Sequence, residues 1–405
     1  MGQRACDYGE AARPEAFLSG TILGQRACDY GEAARPEAFL SGTILGQRAC
    51  DYGEAARPEA FLSGKILGQR ACDHVDADVV VVGAGVVGCL VATEALARAP
   101  HRRVTVIDRG VVGGGVSRFS AGLHFPRGAT PRVRALAAYS HRWYEDLRRR
   151  DPQVPIHPVG LTVVSTDEAA VREHYLPEAR LRPADQGWEG DGAHYADVGA
   201  LTQLLAARLR DRAAFREGTA VTAVGSAPDG VVLTLSTGAR LTAGRVVLAP
   251  GPWLAWPELL APLGVRIKKV VALHIERPAT PRDRTTVFHD EDAFLLPLAH
   301  RGHWLFSYTS PDWDVTPDAL TGELSADDLD RGRAILDRYA PKLSPYCVSG
   351  RVFCDAYSPD RTPIVRPVTA DGRVLFAGAA GGSGYRLAPA IAAAAADLLD
   401  EKDTA

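Results

Sequence analysis

Two glycine clusters at opposite ends of this chain have the residue types and spacing to do chemistry. The first lies in DVVVVGAGVVGCLVATEALARAPHRRVTVIDRG, where Gly83, Gly85 and Gly88 form a GxGxxG pattern and Asp108 ends a later apolar run. The second lies in FAGAAGGSGYRLAPAIAAAAADLL, where Gly381, Gly382 and Gly384 precede an alanine-rich run. A glycine turn that opens a helix leaves backbone N–H groups without intrahelical acceptors, and these favour an electron-rich partner. In the first cluster Gly83 suits a tight turn, Gly85 lets a pyrophosphate approach the backbone, and Gly88 lets a helix pack closely on a strand. Asp108, about twenty residues on, is placed to accept hydrogen bonds from ribose hydroxyls. The pattern implies a bound dinucleotide without saying which.

These residues need a scaffold, and the sequence supplies one. Residues 79–82 are a continuous valine run suited to a buried parallel strand, residues 89–97 continue as a helix, and residues 104–107 form a second strand ending at Asp108. The chain has 405 residues and a formal net charge of -3, enough for two domains with real cores. Neither its charge nor its apolar runs suggest a nucleic-acid or membrane partner. It has seven cysteines, and those outside a repeated segment, Cys89, Cys347 and Cys354, form neither a disulfide framework nor a CxxC pair. A reducing, cytoplasmic setting is expected. One dinucleotide fingerprint, with no paired redox cysteines, points away from reductases and toward an enzyme that takes hydride directly from an organic substrate.

Further blocks decide the cofactor. They are GGGVSRFSAGLHFP, RVVLAPGPW, YSPDRTPIV and the C-terminal glycine stretch. In order and spacing, from Asp78 onward, the chain resembles the FAD-dependent D-amino acid oxidase superfamily, which includes glycine and sarcosine oxidases. The resemblance implies an α/β fold, with a discontinuous Rossmann-type FAD-binding domain and an α+β antiparallel-sheet substrate domain. It assigns residues 75–150, 194–264 and 350–405 to the first, and 151–193 and 265–349 to the second. It also implies the FAD contacts: Gly83, Ala84, Gly85, Val86, Val87 and Gly88, then Asp108 and Arg109, then Ser117, Arg118, Ala121, Gly122 and Leu123. Val221 follows, then Ala249, Gly251 and Trp253, and finally Gly378, Gly381, Gly382, Ser383, Gly384 and Tyr385. In the family the C-terminal turn lies beside the flavin ring, where a helix N-terminus favours the negative charge of the reduced form.

Amine oxidation by flavin needs an unprotonated amine, a C–H aimed at flavin N5 and a cation for any carboxylate. Arg386, following the glycine turn, could clamp a carboxylate bidentately. Tyr308, on a strand expected to cover the ring, Tyr357 and His124 are the other orienting candidates, and no metal is expected. Two departures from the family stand out. A lysine that some members use for reaction with oxygen is replaced by Trp304, and the cysteine that some use to attach FAD is missed by one residue at Cys354. Non-covalent FAD is therefore expected, with oxygen or another electron acceptor. The expected reaction is C–N oxidation of an amino acid or small amine. The alternatives are oxidation of a 2-hydroxy acid or alcohol, and a non-catalytic flavin-binding scaffold.

The N-terminus reads differently. GQRACDYGEAARPEAFLSGTIL occupies residues 2–23 and returns at 24–45 and 46–67, with Lys65 for threonine in the last copy. A proline interrupts each unit and the apolar residues are few, so residues 1–74 are expected to form a weakly ordered extension rather than a solenoid.

Overall fold

Valine-rich runs flanked by glycine build the central sheet. The computed structural model describes residues 75–320 and 322–401. The repeats lie outside the described residues. Ala77–Val82 forms the first strand, buried almost throughout, and pairs in parallel with Arg240–Leu248 on one side and Val104–Ile107 on the other. Val374–Gly378 and Ala213–Arg216 extend this parallel core, and Ile364–Pro367 closes one edge antiparallel. A strand buried on both faces must be apolar at every position rather than at alternate ones, which is why the valine run reads as it does.

Two helices meet against this sheet, Val86–Arg98 and Gly384–Asp400. Their facing sides carry Ala92, Ala95, Ala388, Ala392 and Ala395, all fully buried, so the backbones approach closely. Pro389 stands inside the C-terminal helix. Having no N–H, it leaves the Tyr385 carbonyl without its intrahelical donor. The Tyr144 hydroxyl of the helix Pro131–Arg150 donates to that carbonyl at 2.6 Å, and Ser140 Oγ accepts from Ala390 N at 3.3 Å. The break is thus satisfied by a neighbouring helix rather than by water.

The second sheet runs in the order Cys347–Tyr357, Arg266–Ile275, His303–Trp313, Ala293–Leu298, Arg284–Phe288, Ile156–Val164, Gly187–Ala196 and Leu123–His124. It is antiparallel except where Arg284–Phe288 runs parallel to Ile156–Val164. One face, with Val271, Leu273, Phe306 and Tyr308, packs on the helix Ala326–Tyr339. The other, with Ala272, Leu296, Leu305 and Phe353, packs against Phe119, Ala121 and Leu123. Two expected domain boundaries fall inside strands of this sheet, 193/194 within Gly187–Ala196 and 349/350 within Cys347–Tyr357. The ladders run on through both, pairing residues 194–196 with Ile156–Val164 and residues 350–357 with Arg266–Ile275. Among the described residues no helix is long and apolar enough to cross a membrane.

Candidate active site

Both glycine turns open into one cavity of about 600 Å³. Gly83, Gly85, Val86, Val87, Asp108 and Arg109 line it from the N-terminal part of the chain, and Gly378, Gly381, Gly382, Gly384 and Tyr385 from the C-terminal part. Gly83 has φ +108, and a Cβ there would sit 2.2 Å from the Ala249 carbonyl oxygen. Gly381 has φ +55, and a Cβ would lie 2.6 Å from Tyr357 Cε1. Only glycine fits either position. The Asp108 carboxylate accepts from Ala84 N at 2.6 Å and Gly110 N at 2.7 Å, bracing the first turn, and keeps lone pairs for a further donor. Ser117 Oγ accepts from Val86 N at 3.0 Å. The C-terminal helix starts without a side-chain cap or an acidic residue in its first turn, so its positive end stays uncompensated at the cavity.

Of the remaining expected contacts, Ser117, Arg118, Val221, Ala249, Gly251 and Trp253 also line the cavity. Ala84, Gly88, Ala121, Gly122, Leu123 and Ser383 stand behind the lining. Gly88 lets the helix approach the Gly83 carbonyl, Gly122 lets its chain pass the Ala196 carbonyl, and Ser383 Oγ accepts from Arg386. Arg109 and Trp253 share Asp318. The guanidinium pairs with it at 2.9 Å and the indole N–H donates to it at 2.8 Å. This clasp joins the loops that follow Val104–Ile107 and Arg240–Leu248 to the loop that follows His303–Trp313.

The four orienting candidates fare differently. Arg386 is half-buried, stacks 5.0 Å from the Phe125 ring and donates to Ser383 Oγ at 2.5 Å, while its Nε has no partner. Burial lowers its pKa to about 10. Tyr357 packs on Gly381, and burial raises its phenol. Tyr308 is a correction, since its hydroxyl donates to the Asp328 carbonyl at 2.9 Å on the helix-facing side of the sheet. Strand alternation turned it away from the cavity, and Trp304, four residues earlier, shares that face. His124 is a correction as well. It stacks on His194 at 4.5 Å, and its Nε2 lies 3.2 Å from His141 Nδ1, inside a buried column reached from Tyr385 through a 3.1 Å contact with His194. Burial holds His124 and His194 well below the usual imidazole range.

A residue overlooked in the sequence, Asp355, lines the cavity, and burial raises its carboxyl to about 7. Arg127 was also overlooked. Its guanidinium sits 5.9 Å over the Tyr175 ring, close to Arg386, and its Nε has no partner. The signal for Asp355 was available, because it precedes Tyr357 by two on a strand and so shares its face.

Comparison with known proteins settles the class. The profile of the DAO family, described as FAD dependent oxidoreductase, matches residues 78–398. The chain belongs to the DAO family of FAD-dependent oxidoreductases. A glycine oxidase of Pseudomonas aeruginosa is 33% identical over 222 residues, covering 47% of this chain and 59% of that protein. The match thus spans less than two thirds of that relative's length. Among solved structures, glycine oxidase from Geobacillus kaustophilus superposes with a TM-score of 0.64 at 21% identity, covering 81% of this chain and 96% of that one. L-Proline dehydrogenase from P. horikoshii gives 0.67 at 17% identity, covering 80% and 93%. These DAO-family structures share the fold of this chain, and membership makes it an enzyme rather than a scaffold. The cavity fits FAD on its own terms, with two glycine-only approaches and an uncapped helix end lining a single groove.

Proposed function

We propose that this enzyme oxidises the C–N bond of an amino acid, anchoring the substrate carboxylate between Arg386 and Arg127. The observation that carries this reading is a cluster of buried polar atoms without partners: Arg386 Nε, Arg127 Nε, Tyr175 Oη, His174 Nδ1 and His289 Nδ1. The rings of His174 and His289 are 5.8 Å apart, and those of Tyr175 and His289 6.4 Å. Among the described residues neither arginine pairs with a carboxylate. Two half-buried guanidiniums whose Nε atoms are buried and unpartnered are costly, and a bound carboxylate supplies the ion pair they lack. Arg386 follows directly on the cavity-lining Tyr385 in the chain, although neither arginine is among the residues that line the groove.

The first turn, with Asp108 and Ser117, would hold the pyrophosphate and ribose of FAD, and the Gly381 turn its ring. When bound, FAD supplies the acceptor for the hydride leaving the substrate Cα. The protein's part is orientation, by clamping the carboxylate and by covering the groove with the second sheet. FAD is held non-covalently. Cys354 is buried on the helix-facing side, paired in register with Lys269, whose ammonium bonds Asp328 of that helix at 2.7 Å. Oxygen is the proposed acceptor, and the unpaired buried thiols of Cys89, Cys347 and Cys354 suit a reducing cytoplasm.

Anaerobic mixing of the flavin-loaded protein with three panels tests the reading: amino acids, the matching amines without a carboxylate, and 2-hydroxy acids. Amino acids should bleach the flavin, and the decarboxylated amines should do so far less well. Bleaching by hydroxy acids alone would overturn the assignment. Admitting air should then restore the colour with formation of hydrogen peroxide.

A further inference from the structure

The cavity contains one charge that neither FAD binding nor the carboxylate clamp uses. Asp355 stands on Cys347–Tyr357, whose residues Phe353, Asp355 and Tyr357 face the nucleotide side, and its side chain lines the groove beside the Gly381 turn. Among the described residues it accepts no side-chain hydrogen bond and pairs with no cation. Lys268 stands directly across from it in register. Its ammonium is nevertheless drawn over the rings of Trp313, at 4.5 Å, and Tyr357, at 5.9 Å, and not onto the carboxylate. The other ionisable groups nearby are Tyr357 and Cys354 on its own strand, with Asp318, Asp292 and Arg361 farther out. A half-buried carboxylate without a partner is expensive, and such groups concentrate where a ligand completes them.

A zwitterionic amino acid has charges opposite to both uncompensated features, its carboxylate matching the arginines and its ammonium matching Asp355. We propose that Asp355 takes the proton that the substrate ammonium must lose before hydride can leave. An N–H bond breaks with its electron pair staying on nitrogen, and an O–H bond forms on the carboxylate; bound FAD would supply the acceptor for the Cα hydride that the free amine can then release. This assignment rests on the amino-acid reading above. Asp355 would be the general base, held with its carboxyl near neutrality by burial, which is where such a base works best.

The test is stopped-flow flavin reduction against pH, paired with calorimetry using 2-aminoisobutyrate, which has no Cα–H and cannot donate hydride. In the wild type, reduction should rise tenfold per pH unit and level off near neutrality. Asp355→Asn should slow it by roughly 10²-fold or more at neutral pH and move the inflection above about pH 8, toward the amine's own ionisation. Asp355→Glu should restore most of the wild-type profile. Binding of 2-aminoisobutyrate at about pH 6, compared in buffers of different ionisation heat, should release close to one proton from wild type and none from Asp355→Asn. An unchanged inflection in Asp355→Asn, or no proton release from wild type, would overturn the proposal. If Asp355→Asn does not take up FAD, the Glu variant and the wild-type proton count decide. Wild-type protein that no amino acid bleaches would instead sink the underlying functional reading.

Discussion

Replacing Asp355 by asparagine should stabilise the fold at neutral pH while impairing the reaction. Burial raises the carboxyl from 3.8 to about 7, a difference of about three units. At 1.36 kcal/mol per unit this amounts to about 4 kcal/mol. The folded state holds this proton more tightly than the unfolded chain. The stabilisation is therefore complete below about pH 4, falls as pH rises, and is lost above about pH 7. A neutral asparagine of similar shape escapes that loss. Its advantage over the wild type should thus be near zero at about pH 4 and grow to about 2–4 kcal/mol at about pH 8, with water in the groove screening part of the full figure. Urea unfolding of both proteins at matched free FAD, at acidic and alkaline pH, reads this as a growing separation of midpoints. A variant no more stable than wild type at alkaline pH, with a separation independent of pH, would refute the reasoning.

Other perturbations probe the remaining parts. Arg386→Met should raise KM for an amino acid roughly 10- to 100-fold, the value of one or two charge-assisted hydrogen bonds, and leave an amine without a carboxylate unaffected. Equal losses for both substrates would remove the clamp. Gly83→Ala places a Cβ 2.2 Å from the Ala249 oxygen at φ +108 and should abolish FAD retention, checked by the flavin-to-protein absorbance ratio. His124 and His194 act on stability in the sense opposite to Asp355. Their folded pKa values lie below the usual 6.5, so the stability they contribute is present above about 6.5 and lost as pH falls. Thermal unfolding of the Asp355→Asn protein should show an acid loss to which these histidines contribute, free of the opposing carboxyl, and a midpoint insensitive to acidification would contradict it.

What the sequence made legible was the backbone. Gly83, Gly85, Gly381 and Gly384 line the cavity because a turn, a close approach or a helix start imposes its demand within a few residues of chain. Side-chain direction on the covering sheet was not legible in the same way. Alternation shows which residues share a face but not which face meets the cofactor, because that depends on the helix Ala326–Tyr339 packing against one side. Once Leu273 and Tyr308 are seen against that helix, register settles three questions together. Tyr308 falls on the helix side, and so does Cys354, across from Lys269. Asp355, one residue along, falls on the cavity side. The His124 column was hidden for another reason: it is assembled around the carbonyl that Pro389 frees, where Tyr144, Tyr385 and His194 converge from separate elements. Local patterns therefore located the groove, and long-range packing chose the side chains that face it. The group most exposed to that choice is the unpaired carboxylate of Asp355, since a one-residue slip of its strand would bury it among Leu273, Phe306 and Leu336 with no substrate to meet.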